Sequence, residues 1–499
     1  MTELWTTTPG GYLIVLAILL PLAGIILSFT LGGRSAERVA LGSTPFGLAL
    51  ACAIALHVGR AGKPIVYVIG ALEPPLGIAL RADGISAIML ITTAVIVTAA
   101  ALYARAKFAT PDGIRESRSS LIFWIMLQSI WAALIIIFVS GDLFNLYVAL
   151  ELLTFAAVPL VCIDGRPETL VAALRYLLFA LFGSICYLLG VALLYGAHGT
   201  LDIPLLAQRV QSTPVVWTAA ALMTGGLLAK TALFPLHLWL PPAHANAPAA
   251  ASAVLSSLVV KGSFFLTLRL WFYVLPGLSA DQAAMVIGCL GSAAIIAGSV
   301  MALRQARLKL LIAYSTVAQI GYLFLVFPLA TGAQSWSAMS WSACFMQILA
   351  HAFAKAAMFF SAGLLAEALG HDQIARLGGA ARVLPLTFLT IALSGLSLMG
   401  LPPSGGFSAK WLMLQASIIS GQWFWTLPIL AGGLLAAGYV YRILAPALSD
   451  DRISLKSSPK RSQEVLALGL AMIAIALGFM PQTFSDILEI GRPIAAALP

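Results

Sequence analysis

Charge is scarce in this chain. Asp, Glu, Lys and Arg together make up 9% of its 499 residues, while 61% are apolar. A soluble domain carries about 25% charged residues, so a fully water-exposed surface is excluded. Cysteine is sparse and scattered: Cys52, Cys162, Cys186, Cys289 and Cys344 lie singly in apolar stretches. With no CxxC and no Cys/His cluster at ligand spacing, disulfides, iron–sulfur clusters and a zinc site are not expected. A GxGxxG turn between strand and helix is also missing, which leaves no dinucleotide site. No cofactor or metal is therefore expected in the chain itself. No Lys or Arg precedes the first apolar stretch. That stretch lacks the basic leader of a cleaved signal peptide and reads as a retained span.

What the chain does have is apolar sequence in blocks of membrane-crossing length. About 20 such residues cross the hydrocarbon core as a helix. Blocks of this kind run near 11–31, 39–59, 84–103, 119–139, 142–163, 170–195, 215–236, 247–272, 281–303, 308–330, 339–366, 385–416, 423–446 and 464–483. The expected fold is an all-α integral membrane protein of about fourteen transmembrane helices, with both termini on one side. Cytoplasmic loops gather Lys and Arg. One set of alternate loops holds 18 of these residues; the other holds Arg60, Lys63, Arg81, Arg209, Arg269 and Arg492. The asymmetry puts both termini on the outer, periplasmic side of a bacterial inner membrane. It also reads the net charge of +9 as topology, which leaves no footprint for nucleic acid. Residues 62–83 hold β-formers around Pro74 and Pro75 and predict a short hairpin on the outer face.

Four of the 28 basic residues remain, Lys230, Lys261, Lys355 and Lys410, and each falls inside an apolar block. An ionisable group in a span costs at least a few kcal/mol and marks an ion path by default. Glu151 is the acid placed deepest in a span, with Asp142 at the outer end of the same helix. Lys230 precedes Pro235 by five residues. Lys410 follows Gly400, Pro402 and Pro403. Proline and glycine break a helix, and the freed backbone groups are tolerated at depth only where protein or water satisfies them. A lysine snorkelling to the interface would explain Lys230 alone. Two broken helices, each carrying a lysine, instead predict inverted repeats around a transport pathway.

The expected organisation is therefore helices one to three with the hairpin (1–118), a first five-helix half-channel (119–275), a second (281–446), and a basic loop with the last helix (447–499). Helices seven and twelve are the broken ones. Lys261 lies midway down a helix rich in small residues. His351 and Lys355, four apart, share one helix face and make a relay step. The predicted proton pathway is Glu151, Lys230, Lys261, His351/Lys355 and Lys410. The carboxylate and the lysines each hold or release a proton according to the neighbouring charge. Arg175, at the start of the sixth span, could tune Glu151. His237 and His244, flanking WLPPA, could admit protons or serve as satisfied loop histidines. His57, His198 and His371 take interfacial or loop positions.

These residues sit in a set of motifs: YVIGALEPPLGIAL, SGDLFNLYVALE, KTALFPLHLWLPPAHANAP, KLLIAYSTVAQIGY, HAFAKAAMFF and GLPPSGGFSAK. Over residues 62–446 the chain resembles the antiporter-like membrane subunits shared by respiratory complex I, membrane-bound hydrogenases and Mrp-type cation/proton antiporters. The resemblance implies a fourteen-helix core with helices seven and twelve broken. It also implies a glutamate–lysine pair from spans five and seven, a basic residue in span eight and a lysine in span twelve. Those fall on Glu151, Lys230, Lys261 and Lys410. The chain departs from the pattern at Pro242 and Arg307, where the family often carries an acid. It also ends soon after span fourteen, so the long lateral helix of the distal complex I subunit is not expected.

SGDLFNLYVALE and the GTLDIP loop look most like the D-type protein of Mrp antiporters. The leading expectation is thus a proton-translocating subunit of a multisubunit cation/proton antiporter, working with other membrane subunits and moving protons against Na⁺ or K⁺. The proton-pumping arm of an NADH–quinone oxidoreductase or membrane hydrogenase is the alternative; any enzymatic role would then come through its partners. A coupling subunit for inorganic-carbon uptake is a third reading.

Overall fold

The computed structural model describes residues 5–493 apart from 112, 277, 279, 280, 331–333, 452 and 480. Helices dominate. They are α1 (Tyr12–Leu31), α2 (Gly33–Ala61), α3 (Gly84–Phe108), α4 (Arg118–Val139), α5 (Leu143–Val161), α6 (Pro167–His198), α7 (Ile203–Arg209), α8 (Pro214–Thr231) and α9 (Leu240–Asn246). There follow α10 (Ala249–Val274), α11 (Asp281–Leu303), α12 (Leu308–Leu323), α13 (Ser335–Leu369), α14 (Pro385–Met399), α15 (Gly405–Ile419), α16 (Thr426–Ala447) and α17 (Arg461–Ala476).

Twelve helices among the described residues are long and apolar enough to cross a membrane. The two remaining expected spans are the ones that Pro and Gly interrupt. The first is α8, which ends at Thr231 before helix resumes at Leu240. The second divides into α14 and α15 around residues 400–404. Between α2 and α3 the expected hairpin forms: Ile65–Val68 pairs antiparallel with Ala79–Ala82, Ile65 opposite Ala82.

The chain divides into two compact units. One comprises the chain as far as Thr231, with Leu258–Ser279 and the stretch from Asp486. Its α6 shows why this protein lives in lipid. Leu170, Leu174, Leu178, Phe182, Ile185 and Leu189 recur every three or four residues and are all exposed. An apolar stripe facing outward is the reverse of a soluble helix. The opposite face of α6 meets α8 at glycine. A Cβ on Gly226 would come 2.2 Å from the Gly183 carbonyl oxygen, so the two backbones approach as only small residues permit.

The second unit comprises Ala232–Ser257 and Ala280–Ser485. Its core gathers Ile295, Tyr322, Met413, Trp425 and Ile429 from α11, α12, α15 and the start of α16. The apolar windows of α10 and α13, which carry Lys261 and Lys355, are wholly buried. In α10 the backbone widens into π turns at Leu255–Val259 and Leu270–Val274, one on each side of Lys261. Such turns re-aim the side chains that follow them and are frequent at functional sites.

Candidate functional site

In the first unit, α5 and α8 bring Glu151 and Lys230 together. The Lys230 ammonium lies 3.2 Å from Glu151 Oε1 and donates also to Thr154 Oγ1 at 2.9 Å and the Leu150 carbonyl at 3.3 Å. All three donor directions of the ammonium are thereby used, which is what a buried lysine requires. Glu151 accepts a second bond from Ser184 on α6. The Lys230 side chain is 5% exposed and that of Glu151 16%. The carboxylate is therefore the more exposed member of the pair.

A cavity of about 10 Å³ adjoins Lys230, lined by Thr154, Tyr176, Val259 and Ser263 among others. That is about the volume a single water needs. Ser263 stands two residues from Lys261 on α10, and Lys261 itself is fully buried. Arg175 is exposed on α6, next in sequence to the buried Tyr176.

In the second unit, Lys355 and His351 sit one turn apart on α13, 0% and 1% exposed. Lys355 donates to the Ile312 carbonyl at 2.9 Å and to Ser315 Oγ, both on α12. Lys410, on α15, reaches back across the break to the last turn of α14. It donates to the carbonyls of Leu398 at 2.6 Å and Met399 at 3.2 Å and stands 4.5 Å over the Tyr322 ring. The broken helix thus performs a defined task. Carbonyls at the end of a helix have no intrahelical partner, and the bend at Gly400 (φ 81°) aims two of them at the ammonium. His237 is stacked on Phe234 with its edge toward Tyr314, and His244 is buried against Phe359. Pro235 and Pro403 both follow cis peptide bonds at the breaks.

Two features lie outside what the sequence predicts. Arg269, which by sequence groups with the loop charges, is 7% exposed inside α10 and grips Asp83 with both guanidinium arms at 2.6 and 2.8 Å. Asp83 is 1% exposed, less than Glu151, and caps α3 through the Ser86 amide. This pair helps to line a cavity of about 660 Å³ beside the hairpin. Nearby, burial pushes the Asp202 carboxyl above the usual carboxylate range, although the Leu205 amide and Arg81 oppose the shift. The second feature is a set of neutral polar side chains, Ser315, Gln319, Gln347 and Tyr439, buried in the second unit. Residues of this kind are common in spans, so no signal in the sequence singles them out.

With this geometry in view, the chain belongs to the NADH:quinone oxidoreductase/Mrp antiporter membrane family, whose model matches residues 140–435. It is 31% identical to the N subunit of NADH-quinone oxidoreductase from Desulforudis audaxviator, over 90% of this chain and 94% of that one. It is 27% identical to the D subunit of the Na⁺/H⁺ antiporter from Alkalihalophilus pseudofirmus, over 94% of each. Among solved structures, a chain of the Mrp complex from a Dietzia species superposes with a TM-score of 0.87. It shares 22% identity and covers 98% of this chain and 97% of that one. A chain of the archaeal membrane-bound sulfane sulfur reductase gives 0.86 at 27% identity, covering 95% and 96%.

Proposed function

We propose that this chain is the proton-translocating subunit of a multisubunit cation/proton antiporter of the Mrp type, in the position of its D-type protein. The observation that carries the reading is the buried Lys230–Glu151 pair at the break after α8. A carboxylate beside an ammonium stays ionised; when the lysine passes its proton onward, the carboxylate loses that support and takes up a proton in its place. Lysine is suited to this role because, unlike arginine, it gives up its proton readily when buried. In the first unit Glu151, Lys230 and Lys261 form one set of such groups. His351, Lys355 and Lys410 form a second set in the other unit. Water supplies the bridges longer than a direct hydrogen bond. The protein sits in a bacterial inner membrane with both termini outside, and its partners are other membrane subunits exchanging H⁺ for Na⁺ or K⁺.

A second reading rests on the 31% identity to the N subunit of an NADH-quinone oxidoreductase. In that case the same groups pump protons as one arm of a redox complex, driven by partner subunits. Purifying the native complex and identifying its subunits separates the two: small membrane subunits alone support the antiporter, and iron–sulfur subunits support the redox arm. Reconstituted in vesicles, the antiporter moves protons in response to an imposed Na⁺ or K⁺ gradient. A complex that does not respond to either cation contradicts the first reading.

A further inference from the structure

Lys410 does not hold the Leu398 carbonyl alone. The side-chain amide of Gln319, on α12, donates through Nε2 to the same oxygen at 3.1 Å, while the Lys410 ammonium donates to it at 2.6 Å. Gln347, on α13, donates in turn through Nε2 to Gln319 Oε1 at 2.9 Å. Side chains from α12, α13 and α15 are thus linked through one oxygen at the end of α14.

That oxygen fixes the direction of both amides. A backbone carbonyl only accepts, so Gln319 must turn its NH2 toward Leu398 and its own oxygen away. The amide oxygen also only accepts, so Gln347 must offer its NH2. Gln319 Nε2 reaches the Tyr439 oxygen of α16 as well, at 3.4 Å. Both glutamines are buried, and Gln347 Oε1 is left with no protein hydrogen bond among the described residues. Leucines would fill this space without that cost, since a partly satisfied buried amide is poorer for stability than an apolar side chain. Packing therefore does not account for the pair. What it secures is one N–H aimed at the resting place of Lys410.

A carbonyl oxygen carries two lone pairs. With Gln319 on one of them, the oxygen offers the ammonium less than it would alone. When Lys410 is neutral, the amide keeps this buried acceptor paired and in place, which avoids the cost of an orphaned carbonyl. We propose that Gln319, oriented by Gln347, is a positioning residue for Lys410: by sharing the Leu398 carbonyl it fixes the docking point of the ammonium and lets the proton leave more readily. Neither amide gains or loses a proton. The titratable groups facing Lys410 and Gln319 are Tyr322 of α12 and Tyr439 of α16. On α13, Cys344 and His351 are those nearest to Gln347 in sequence; α14 carries none, and α17 carries Arg461 and Glu464 in its first turn. The role rests on the proton-translocating reading above.

The test follows proton movement with a pH-sensitive dye in vesicles containing the whole purified complex, across a range of pH. Gln319→Leu leaves the carbonyl to Lys410 alone, so the ammonium is held more firmly and releases its proton only at higher pH. The acid limb of the flux–pH profile is expected to move up by roughly half a pH unit or more, and flux on that limb to fall about threefold. Gln347→Leu frees the Gln319 amide to turn and is expected to move the limb the same way by less. A glutamine that only fills space leaves the profile in place, whatever its effect on stability. An unmoved profile in Gln319→Leu, or a move to lower pH, overturns the proposal. If that variant does not assemble, an unmoved profile in Gln347→Leu overturns it instead. Flux lost in Lys230→Arg with an unmoved profile in Gln319→Leu removes this role alone, whereas a wild-type complex that moves no protons removes the reading beneath it as well.

Discussion

Lys410 donates to the carbonyl of Leu398, twelve residues earlier in the chain and 2.6 Å away, across a break in the helix that carries them both. An unbroken helix would hold these groups three turns apart on its own axis. The interruption turns a backbone group that a helix would have consumed into the resting partner of a mobile ammonium. The same logic accounts for the Gly-Pro-rich segment 400–406 in an otherwise apolar stretch.

Gly400 is expected to be intolerant of a side chain. Its φ of 81° costs a non-glycine residue roughly 1–2 kcal/mol. An added Cβ would also lie 2.6 Å from Lys410 Cδ. Gly400→Ala should lower thermal stability modestly and lower proton flux by a larger factor, because the lysine stem must leave its place. Equal flux per assembled complex in wild type and variant would show that Lys410 is not held in a functional position.

The Gly183–Gly226 approach makes a packing prediction. It sets the distance between α6, which carries Ser184, and α8, which carries Lys230. Gly226→Ala forces the Gly183 carbonyl away and should cost about 1–3 kcal/mol, as overpacking does. The expected result is a lower melting temperature in detergent together with reduced flux, since Ser184, Glu151 and Lys230 lose register. A variant as stable and as active as wild type would mean that the helices part without consequence.

Asp83 and Arg269 should behave as a structural pair. Removing one partner of a buried ion pair costs about 3–5 kcal/mol, because the other charge is left uncompensated. Arg269→Met is expected to destabilise the protein strongly. Asp83→Asn together with Arg269→Met should recover part of the loss. Flux per folded molecule should stay near wild type in the double variant, measured alongside thermal unfolding. A double variant that is stable but inactive would place this pair on the ion path.

Much of the fold is legible in the sequence because hydropathy and helix breaking are properties of short segments. The spans, the two interruptions after Lys230 and before Lys410, and the hairpin around Pro74 and Pro75 all follow from local composition. The meeting of Glu151 and Lys230 is expected because each is expensive where it lies and each relieves the other. Arg269 reads wrongly in sequence because its neighbour in space, Asp83, is 186 residues away. A lone arginine near the end of an apolar block looks like a topology charge until its partner is seen. Ser184, Thr154, Ser315, Gln319 and Tyr439 carry no signal for the opposite reason: a neutral polar side chain in a span costs little by itself, so its position says nothing about what it bonds.

The most direct test of the central claim is proton flux in vesicles containing the whole complex with Lys230→Arg. Arginine keeps the positive charge beside Glu151, 3.2 Å from the present ammonium, but does not release a proton in the physiological range. The account predicts an assembled complex whose proton flux is reduced to background, as it also is in Glu151→Gln. Wild-type flux in Lys230→Arg would contradict it, because a fixed charge would then serve as well as a proton carrier.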